Sequence, residues 1–398
     1  MLLKALLIVA ALGAILTSIQ TLLVKRFLRG QRPFAPGPRS ASPRAASTTT
    51  LPFVSILKPL SGLDDELSEN LESFVSLEGV DYEVILSVAD DGEPAAAVAR
   101  DVMARFPAAP FRLVVGGVTA KNPKVERLLA AARVAAGDIL FVSDSNVRVR
   151  PLDVARTVAA FDDPSVGCVS NVFVGTGGKT FGAAIEGLHL LTFVAPGTVL
   201  AASGGVPCVV GKSLAISRLA LDAIGGFAAV ADVLAEDQAI GVAVKRAGFR
   251  LALSPVVVRN VIVRRTLARA LDRQIRWGKI RYAFSKATYT GELLLTPFGM
   301  ALLALLVAAL SASSVAGVGL FAAGVALLRI TQAAYLSALL TDDHTLECAL
   351  LMPVKDVLQL MTQLIPYVSR DVTWNGHRAR LGPGTRLLPP RRGLSTAV

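Results

Sequence analysis

The chain has 398 residues, enough for a full catalytic domain and additional segments. Apolar residues make up 53% of it, more than a soluble enzyme usually carries, so membrane segments are expected. The net charge of +11 suits anionic lipid or a phosphorylated ligand; no basic nucleic-acid-binding motif is found, so we predict no nucleic-acid partner. Three widely spaced cysteines predict neither a disulfide framework nor a zinc site.

The N-terminal segment has the properties of a membrane anchor. Residues 5–24 carry no charge and are long enough to cross a bilayer as a helix. A cleaved signal peptide is the alternative, but the stretch is long for one and basic residues follow it. We therefore predict an anchor over residues 1–25, with the following chain in the cytoplasm. Residues 26–50, basic and rich in Pro and Ser, are predicted to form a flexible linker.

From residue 51 to about residue 260, short β-type runs alternate with amphipathic helical stretches. This alternation predicts an α/β fold with a Rossmann-like, mostly parallel sheet. The runs predicted as strands are residues 52–57, 82–88, 111–115, 138–143, 166–174 and 250–258. Residues 123–136 should form a helix with Asn122 as its N-cap and Pro123 at its first position.

The C-terminal region, residues 291–370, is predicted to be membrane-associated. Residues 297–340 contain a single charged residue, Arg329, and are long enough for two spans. Residues 346–368 are apolar but interrupted by prolines and charges, which predicts either a third span or a re-entrant or interfacial helix. The tail, residues 371–398, is basic and therefore predicted to be cytoplasmic. Because one anchor and two spans already return the chain to the cytoplasm, the re-entrant alternative is favoured.

Acidic residues follow two of the predicted strands, and ligands of parallel sheets bind at the carboxyl ends of strands. Asp90 and Asp91 follow the strand at 82–88, where an Asx turn explains them equally well. Asp144 follows the strand at 138–143. A carboxylate at that position can hold Mg²⁺ or Mn²⁺ and leave room for phosphate oxygens, although strand-end aspartates are common.

Two further groups complete the candidate site. Glu236 and Asp237 begin a predicted helix, either to stabilise its N-terminus or to place a general base over an acceptor hydroxyl. Arg273, Arg276 and Trp277 share one face of a later helix, where guanidinium groups can bind phosphate and the indole can cover an apolar group. A basic interfacial helix is the alternative. Together the acids and this helix would supply what sugar transfer from a nucleotide donor requires.

The chain resembles the ceramide glucosyltransferases, which form glycosyltransferase family 21. This family is related to the processive and lipid-modifying glycosyltransferases of family 2. The resemblance runs from about residue 50 to 290 and continues more weakly beyond. The motifs that carry it are "VSILKPLSGLDDEL" at 54–67, "KNPKVERLL" at 121–129, "DILFVSDSNVRV" at 138–149, "CVVGKS" at 208–213, "AED" at 235–237 and "RQIRW" at 273–277.

The resemblance implies a fold and a reaction. Residues 51–290 would be a cytoplasmic GT-A type domain between N-terminal and C-terminal transmembrane helices. It would move glucose from UDP-glucose to the primary hydroxyl of ceramide by direct displacement with inversion, giving glucosylceramide and UDP. A divalent metal, Mg²⁺ or Mn²⁺, would assist.

The resemblance also implies roles for individual residues. Those assigned to donor binding are Asp90, Asp91, Lys121, Lys124 and Asp144. Asp144 would also bind the metal, and Asp237 would be the catalytic base. Arg273, Arg276 and Trp277 would close over the diphosphate and the acceptor. Whether Asp90 or Asp91 is the first functional carboxylate stays open.

Alternatives concern the acceptor more than the reaction. Related bacterial proteins act on hopanoid lipids or diacylglycerol, with glucose or N-acetylglucosamine as the sugar. A non-catalytic membrane scaffold or a transporter is disfavoured because the acidic set is intact. We expect an integral protein of a bacterial inner membrane whose acceptor enters beside residues 177–200, although a buried core helix there is the alternative.

Overall fold

The computed structural model of the protein describes residues 1–29, 52–117, 119–311, 314–342, 346–374 and 377–389. Most of the linker predicted at 26–50 lies outside these ranges. An eight-stranded sheet forms the centre of the described chain. Its strands are β1 (Val54–Pro59), β2 (Tyr82–Val88), β3 (Phe111–Val115), β4 (Ile139–Ser143), β5 (Val147–Arg148), β6 (Val166–Thr176), β7 (Ser213–Ser217) and β8 (Arg250–Val261).

The strand order, β3-β2-β1-β4-β7-β6-β8-β5, brings most carboxyl ends to one edge. Strands β3, β2, β1 and β4 are mutually parallel, and β6 is parallel to β8. Strand β7 is antiparallel to both β4 and β6, so β4, β6 and β8 run in the same direction. The predicted α/β class and all six predicted strands are confirmed; the reversed strand β7 was not predicted.

Helices cover both faces of this sheet. With the N-terminal helix they are α1 (Leu2–Arg29), α2 (Leu67–Glu72), α3 (Pro94–Arg105), α4 (Pro123–Val134), α5 (Asp153–Val158), α6 (Phe181–His189), α7 (Ala195–Ser203), α8 (Arg218–Ala223), α9 (Glu236–Arg246), α10 (Leu267–Phe284) and α11 (Lys286–Gly291). A π-helical segment, Leu190–Val194, joins α6 to α7. Asn122 caps α4 as predicted, since its Oδ1 accepts from Lys124 N at 2.9 Å.

The core is divided between the two faces because successive side chains of a strand point to opposite sides. On one face Ile56 and Leu86 pack with α3, and on the other Leu57 and Ile85 pack with α4. All four side chains are fully buried. Each such residue contributes about 1.5–3 kcal/mol of hydrophobic stabilisation, so the sheet rigidly fixes its carboxyl edge.

The C-terminal helices are α12 (Pro297–Leu310), α13 (Val315–Leu340), α14 (Leu346–Leu350) and α15 (Met352–Val368). Among the described residues, three helical stretches are long and apolar enough to cross a membrane: Leu2–Arg29, Phe181–Ser203 and Val315–Leu340. The second is largely buried inside the protein. Lys286–Leu295 and Pro297–Leu310 form a pair bent by 73° that would count as a fourth.

Helix α15 turns its polar residues toward the protein. The buried Asp356 accepts from Arg329 Nε of α13 at 2.9 Å, and its neighbour Lys355 is also buried. Helix α15 packs against α10 and α12 as well as α13. Whether residues 346–368 span the membrane or re-enter it stays a prediction.

The described part of the tail forms a second, antiparallel sheet of β9 (Asp371–Trp374), β10 (His377–Leu381) and β11 (Leu387–Leu388). It packs against the segment that precedes α9. Thr385 O accepts from Leu234 N at 3.0 Å, and Leu387 N donates to Asp232 O at 2.8 Å. The tail was predicted only as a basic segment, yet it holds the backbone that leads into Glu236 and Asp237.

Candidate active site

Asp144 lies at the carboxyl end of β4 between two lysines. Its Oδ1 is 2.8 Å from Lys124 Nζ and its Oδ2 is 2.9 Å from Lys212 Nζ. Burial acts to raise the pKa of this carboxyl, but the two ammonium groups outweigh it and hold the pKa well below its usual range. Asp144 therefore stays ionised, and the lysines stay close to it.

Lys124 connects Asp144 to the acids that begin α9. Its Nζ is 2.8 Å from Glu236 Oε1 and donates to Gly211 O at 3.0 Å. Burial acts to lower the pKa of Lys124, but Asp144, Glu236 and Asp237 raise it far above its usual range. One ammonium thus holds acids from two separate elements together.

Asp237 is the acid of this group with a pKa suited to catalysis. Its Oδ2 accepts from Gly211 N at 2.5 Å and its Oδ1 accepts from Gln238 N at 2.7 Å. Burial, followed by repulsion from Glu236, raises its pKa to about 6, although Lys124 opposes the shift. A side chain at position 211 would put its Cβ 2.9 Å from Asp237 Oδ2, so the contact requires glycine there. A base with this pKa is mostly deprotonated at neutral pH.

Lys58 is a third lysine beside Asp144. It belongs to the mostly apolar strand β1, and its side chain is fully buried. Its Nζ donates to Asp144 O at 3.0 Å and to Ser143 Oγ at 3.3 Å. Burial lowers its pKa to about 7, against the attraction of Asp144 and Asp64. The sequence reasoning assigned no role to Lys58 or Lys212, although a lysine within a hydrophobic strand was a usable signal.

Helix α10 brings the predicted arginines and tryptophan to one place. Arg273 Nη1 donates to the buried Glu186 Oε1 at 2.7 Å, and its guanidinium lies 5.8 Å from the Trp277 ring centre. Burial, followed by repulsion from Arg273, lowers the pKa of Arg276 to about 10. Burial also lowers the pKa of Lys212, and Arg273 adds to that effect. Arg273 therefore lies within electrostatic reach of Lys212 and of the group around Asp144.

Three residues predicted to bind the donor lie outside the group formed by Asp144 and its lysines. Asp90 Oδ1 accepts from Gly92 N at 2.9 Å, which is the Asx turn of the alternative interpretation. Asp91 is exposed and pairs with Arg100, and Lys121 is exposed. Strands β2 and β4 flank β1, so the end carrying Asp90 is about 10 Å from that carrying Asp144.

The described residues do not form a metal site as they stand. Among them, no group of three or more His, Cys, Asp or Glu side chains could hold a metal ion. Both oxygens of Asp144 are paired with lysine ammonium groups, which would repel a divalent cation. The metal-binding role of Asp144 stays a prediction.

A cavity of about 350 Å³ lies at the same edge of the sheet, between the ends of β6 and β8 and the C-terminal helices. It is bordered by the end of β6, by α6, by α13 and by α14. Most of its lining is apolar and small, as at Gly175, Ala183, Ala184, Leu191 and Ala333. Acceptor entry was predicted beside residues 177–200, and the part of this segment from 177 to 191 supplies one wall of the cavity.

The fold is shared with a solved glycosyltransferase. The mannosyltransferase PcManGT from Pyrobaculum calidifontis, solved in complex with GDP-Man and Mn²⁺, matches with a TM-score of 0.58 over 91% of this chain and 99% of that chain. At 20% sequence identity this likeness concerns the fold alone.

The family follows from the sequence itself. Residues 5–387 match the model of glycosyl transferase family 21, and the chain belongs to that family. Ceramide glucosyltransferase 3 of Caenorhabditis elegans is 30% identical over 243 residues, which are 59% of this chain and 52% of that protein. Ceramide glucosyltransferase 1 of the same organism is 30% identical over 240 residues, 59% of this chain and 51% of that protein. The chain thus spans about half the length of these curated relatives.

Proposed function

We propose that the protein is an inverting, membrane-bound glycosyltransferase that moves glucose from UDP-glucose to the primary hydroxyl of ceramide. The observation that carries the proposal is Asp237, a carboxylate with a raised pKa beside a lysine-rich strand edge. The names of the family 21 relatives support ceramide as the acceptor.

The proposed chemistry is a single displacement. Asp237 removes the proton of the acceptor hydroxyl as that oxygen attacks the anomeric carbon of glucose. The bond from this carbon to the diphosphate oxygen breaks, its electron pair leaves with UDP, and the configuration inverts. Lys212 and Arg273 would stabilise the charge that develops on the diphosphate; their proximity to Asp144 at the strand edge supports this role.

A divalent metal, Mg²⁺ or Mn²⁺, is part of the proposal only as a cation that the donor diphosphate would bind through its oxygens. The Mn²⁺ of the mannosyltransferase structure supports metal use in this fold. Asp144 would have to exchange a lysine contact for the metal. No step of the proposed chemistry depends on it.

We further propose that the catalytic domain faces the cytoplasm of a bacterial inner membrane. Arg26 and Arg29 at the end of α1 support this orientation. The acceptor would enter through the cavity beside α6, whose apolar lining suits a lipid chain better than a sugar.

An acceptor panel tests the proposal. Purified protein would receive radiolabelled UDP-glucose or UDP-N-acetylglucosamine together with ceramide, diacylglycerol or a hopanoid. We expect glucose on ceramide. Transfer only to another lipid would overturn the ceramide assignment, and no transfer to any acceptor would favour the scaffold or transporter alternative.

The pH dependence of the reaction should report Asp237. Because its pKa in the free protein is raised to about 6, protonation below that pH removes the base, and kcat/KM should fall as the pH is lowered through 6. The measurement is kcat/KM for the sugar donor from about pH 5 to about pH 8. A profile that stays flat to the acid end would argue against Asp237 as the base.

A charge in the cavity should interfere with the acceptor selectively. We expect Ala184→Asp to raise the KM for the lipid at least about tenfold, because an apolar chain would meet a carboxylate, with little change in the donor KM. Ala97→Asp, at an exposed position of α3, serves as the control. Equal changes in both KM values would contradict the assigned entry route.

A further inference from the structure

Glu186 is an acidic residue within an apolar helix, and the proposed chemistry gives it no role. It lies on α6, and only 1% of its surface is exposed. Burying a carboxylate is costly unless cations and hydrogen bonds compensate. Its Oε1 accepts from Arg273 Nη1 at 2.7 Å. Its Oε2 lies 3.3 Å from Arg265 Nε but accepts no hydrogen bond from the described residues.

Two guanidinium groups, of Arg265 and Arg273, contact this carboxylate, and a third, of Arg276, acts on it electrostatically. Asp272 also acts on Arg276, so three positive charges face two carboxylates and leave an excess of one. An anionic ligand would balance this excess beside the buried Glu186. The diphosphate of a nucleotide sugar carries the complementary charge and geometry.

The N-cap residue of helix α6 also fixes Arg265. The hydroxyl of Thr180, the N-cap of α6, donates to Arg265 O at 2.8 Å and accepts from Arg265 N at 3.0 Å. The same helix presents Ala184 and Gly187 to the apolar cavity. Helix α6 and its N-cap therefore hold Arg265 and Arg273, called the donor clamp below, and form a wall of the apolar cavity.

We propose that Glu186 is a positioning residue that holds Arg273 and Arg265 in the orientation that receives the donor diphosphate. The inference rests on the proposed nucleotide-sugar donor. In the free protein Glu186 orders these arginines by pairing with them. When the donor binds, the same guanidinium groups also interact with its diphosphate. Through α6, this arrangement also ties the donor clamp to the wall of the acceptor cavity.

Glu186→Gln tests the inference in the full-length protein. The unpaired arginines should lower the melting temperature of the free variant, while the shift produced by UDP should become larger than in the wild type, because UDP then supplies the missing counter-charge. The turnover rate should fall at least about tenfold while the KM for the sugar donor does not rise, because the arginines lose their orientation but not their charge. Glu186→Asp should recover part of the turnover and show an intermediate UDP shift.

Glu292→Gln is the matched control. Glu292 Oε2 lies 2.9 Å from Nε of Arg281, which is on helix α10 like Arg273 but is not one of the arginines that contact Glu186. It should lower the melting temperature but leave the UDP-induced shift at the wild-type size. A UDP shift in Glu186→Gln that equals the wild-type shift would overturn the positioning role. A wild-type protein without any UDP shift would overturn the proposed donor, and this inference with it.

Discussion

Replacing Asp237 by Asn should lower the rate of sugar transfer by about 10²–10⁴-fold while UDP still binds. The amide keeps the size of the side chain but cannot accept the proton of the attacking hydroxyl. The groups assigned to the diphosphate, Lys212 and Arg273, make no hydrogen bond with Asp237. The measurement is transfer of labelled sugar together with UDP affinity by calorimetry.

A matched substitution separates the loss of a base from a general loss of charge. Asp101→Asn removes an exposed carboxylate that pairs with Arg105 on α3, and we expect wild-type activity. The Asn side chain at 237 would turn an N–H toward Gly211 N or Gln238 N, so a local cost of about 1–3 kcal/mol is expected. Retained transfer in a folded Asp237→Asn protein would remove Asp237 from the mechanism.

Local sequence patterns were sufficient for the elements of the catalytic domain. Apolar runs of strand length predicted the six strands, and the Asn122-Pro123 pair predicted the start of α4. These predictions succeed because strand formation and helix capping depend mainly on neighbouring residues. The positions of Glu236 and Asp237 at the start of α9 followed in the same way. Each of these features is decided within a few residues of chain.

The position of Lys212 beside Asp144 could not be predicted in this way because it depends on strand register. Strand β7 runs antiparallel to β4 and pairs Ser213 with Ser143. This register places Lys212 beside Asp144, whose N donates to Lys212 O at 3.2 Å. No local pattern around "CVVGKS" indicates that its strand is reversed in a mostly parallel sheet.

The partner of Arg273 was missed for a similar reason. Glu186 and Arg273 are far apart in sequence and meet only because α6 packs against α10. A single acid in the apolar stretch 177–200 was nevertheless visible, and burial of such a residue requires a cationic partner. The contact between the tail and the segment before α9 carried no comparable signal.

Replacing Lys124 by Met should both destabilise the fold and shift the pH dependence of the reaction. Lys124 bridges Asp144 and Glu236, so its loss leaves buried carboxylates without their shared cation, at a cost of about 3–5 kcal/mol. Lys124 also acts to lower the pKa of Asp237. Without it that pKa rises above 6, and the acid limb of the rate profile should move to higher pH.

Thermal unfolding and the pH profile of kcat/KM measure the two effects separately. Lys245→Met, at an exposed position of α9, is the control and should change stability by no more than about 0.5 kcal/mol. An unchanged acid limb in an active Lys124→Met protein would mean that Asp237 does not set that limb. If the acid limb moves to higher pH in Lys124→Met but not in Lys245→Met, then Lys124 lowers the pKa of the catalytic base Asp237. Electrostatic attraction between the two side chains is the reason for that shift.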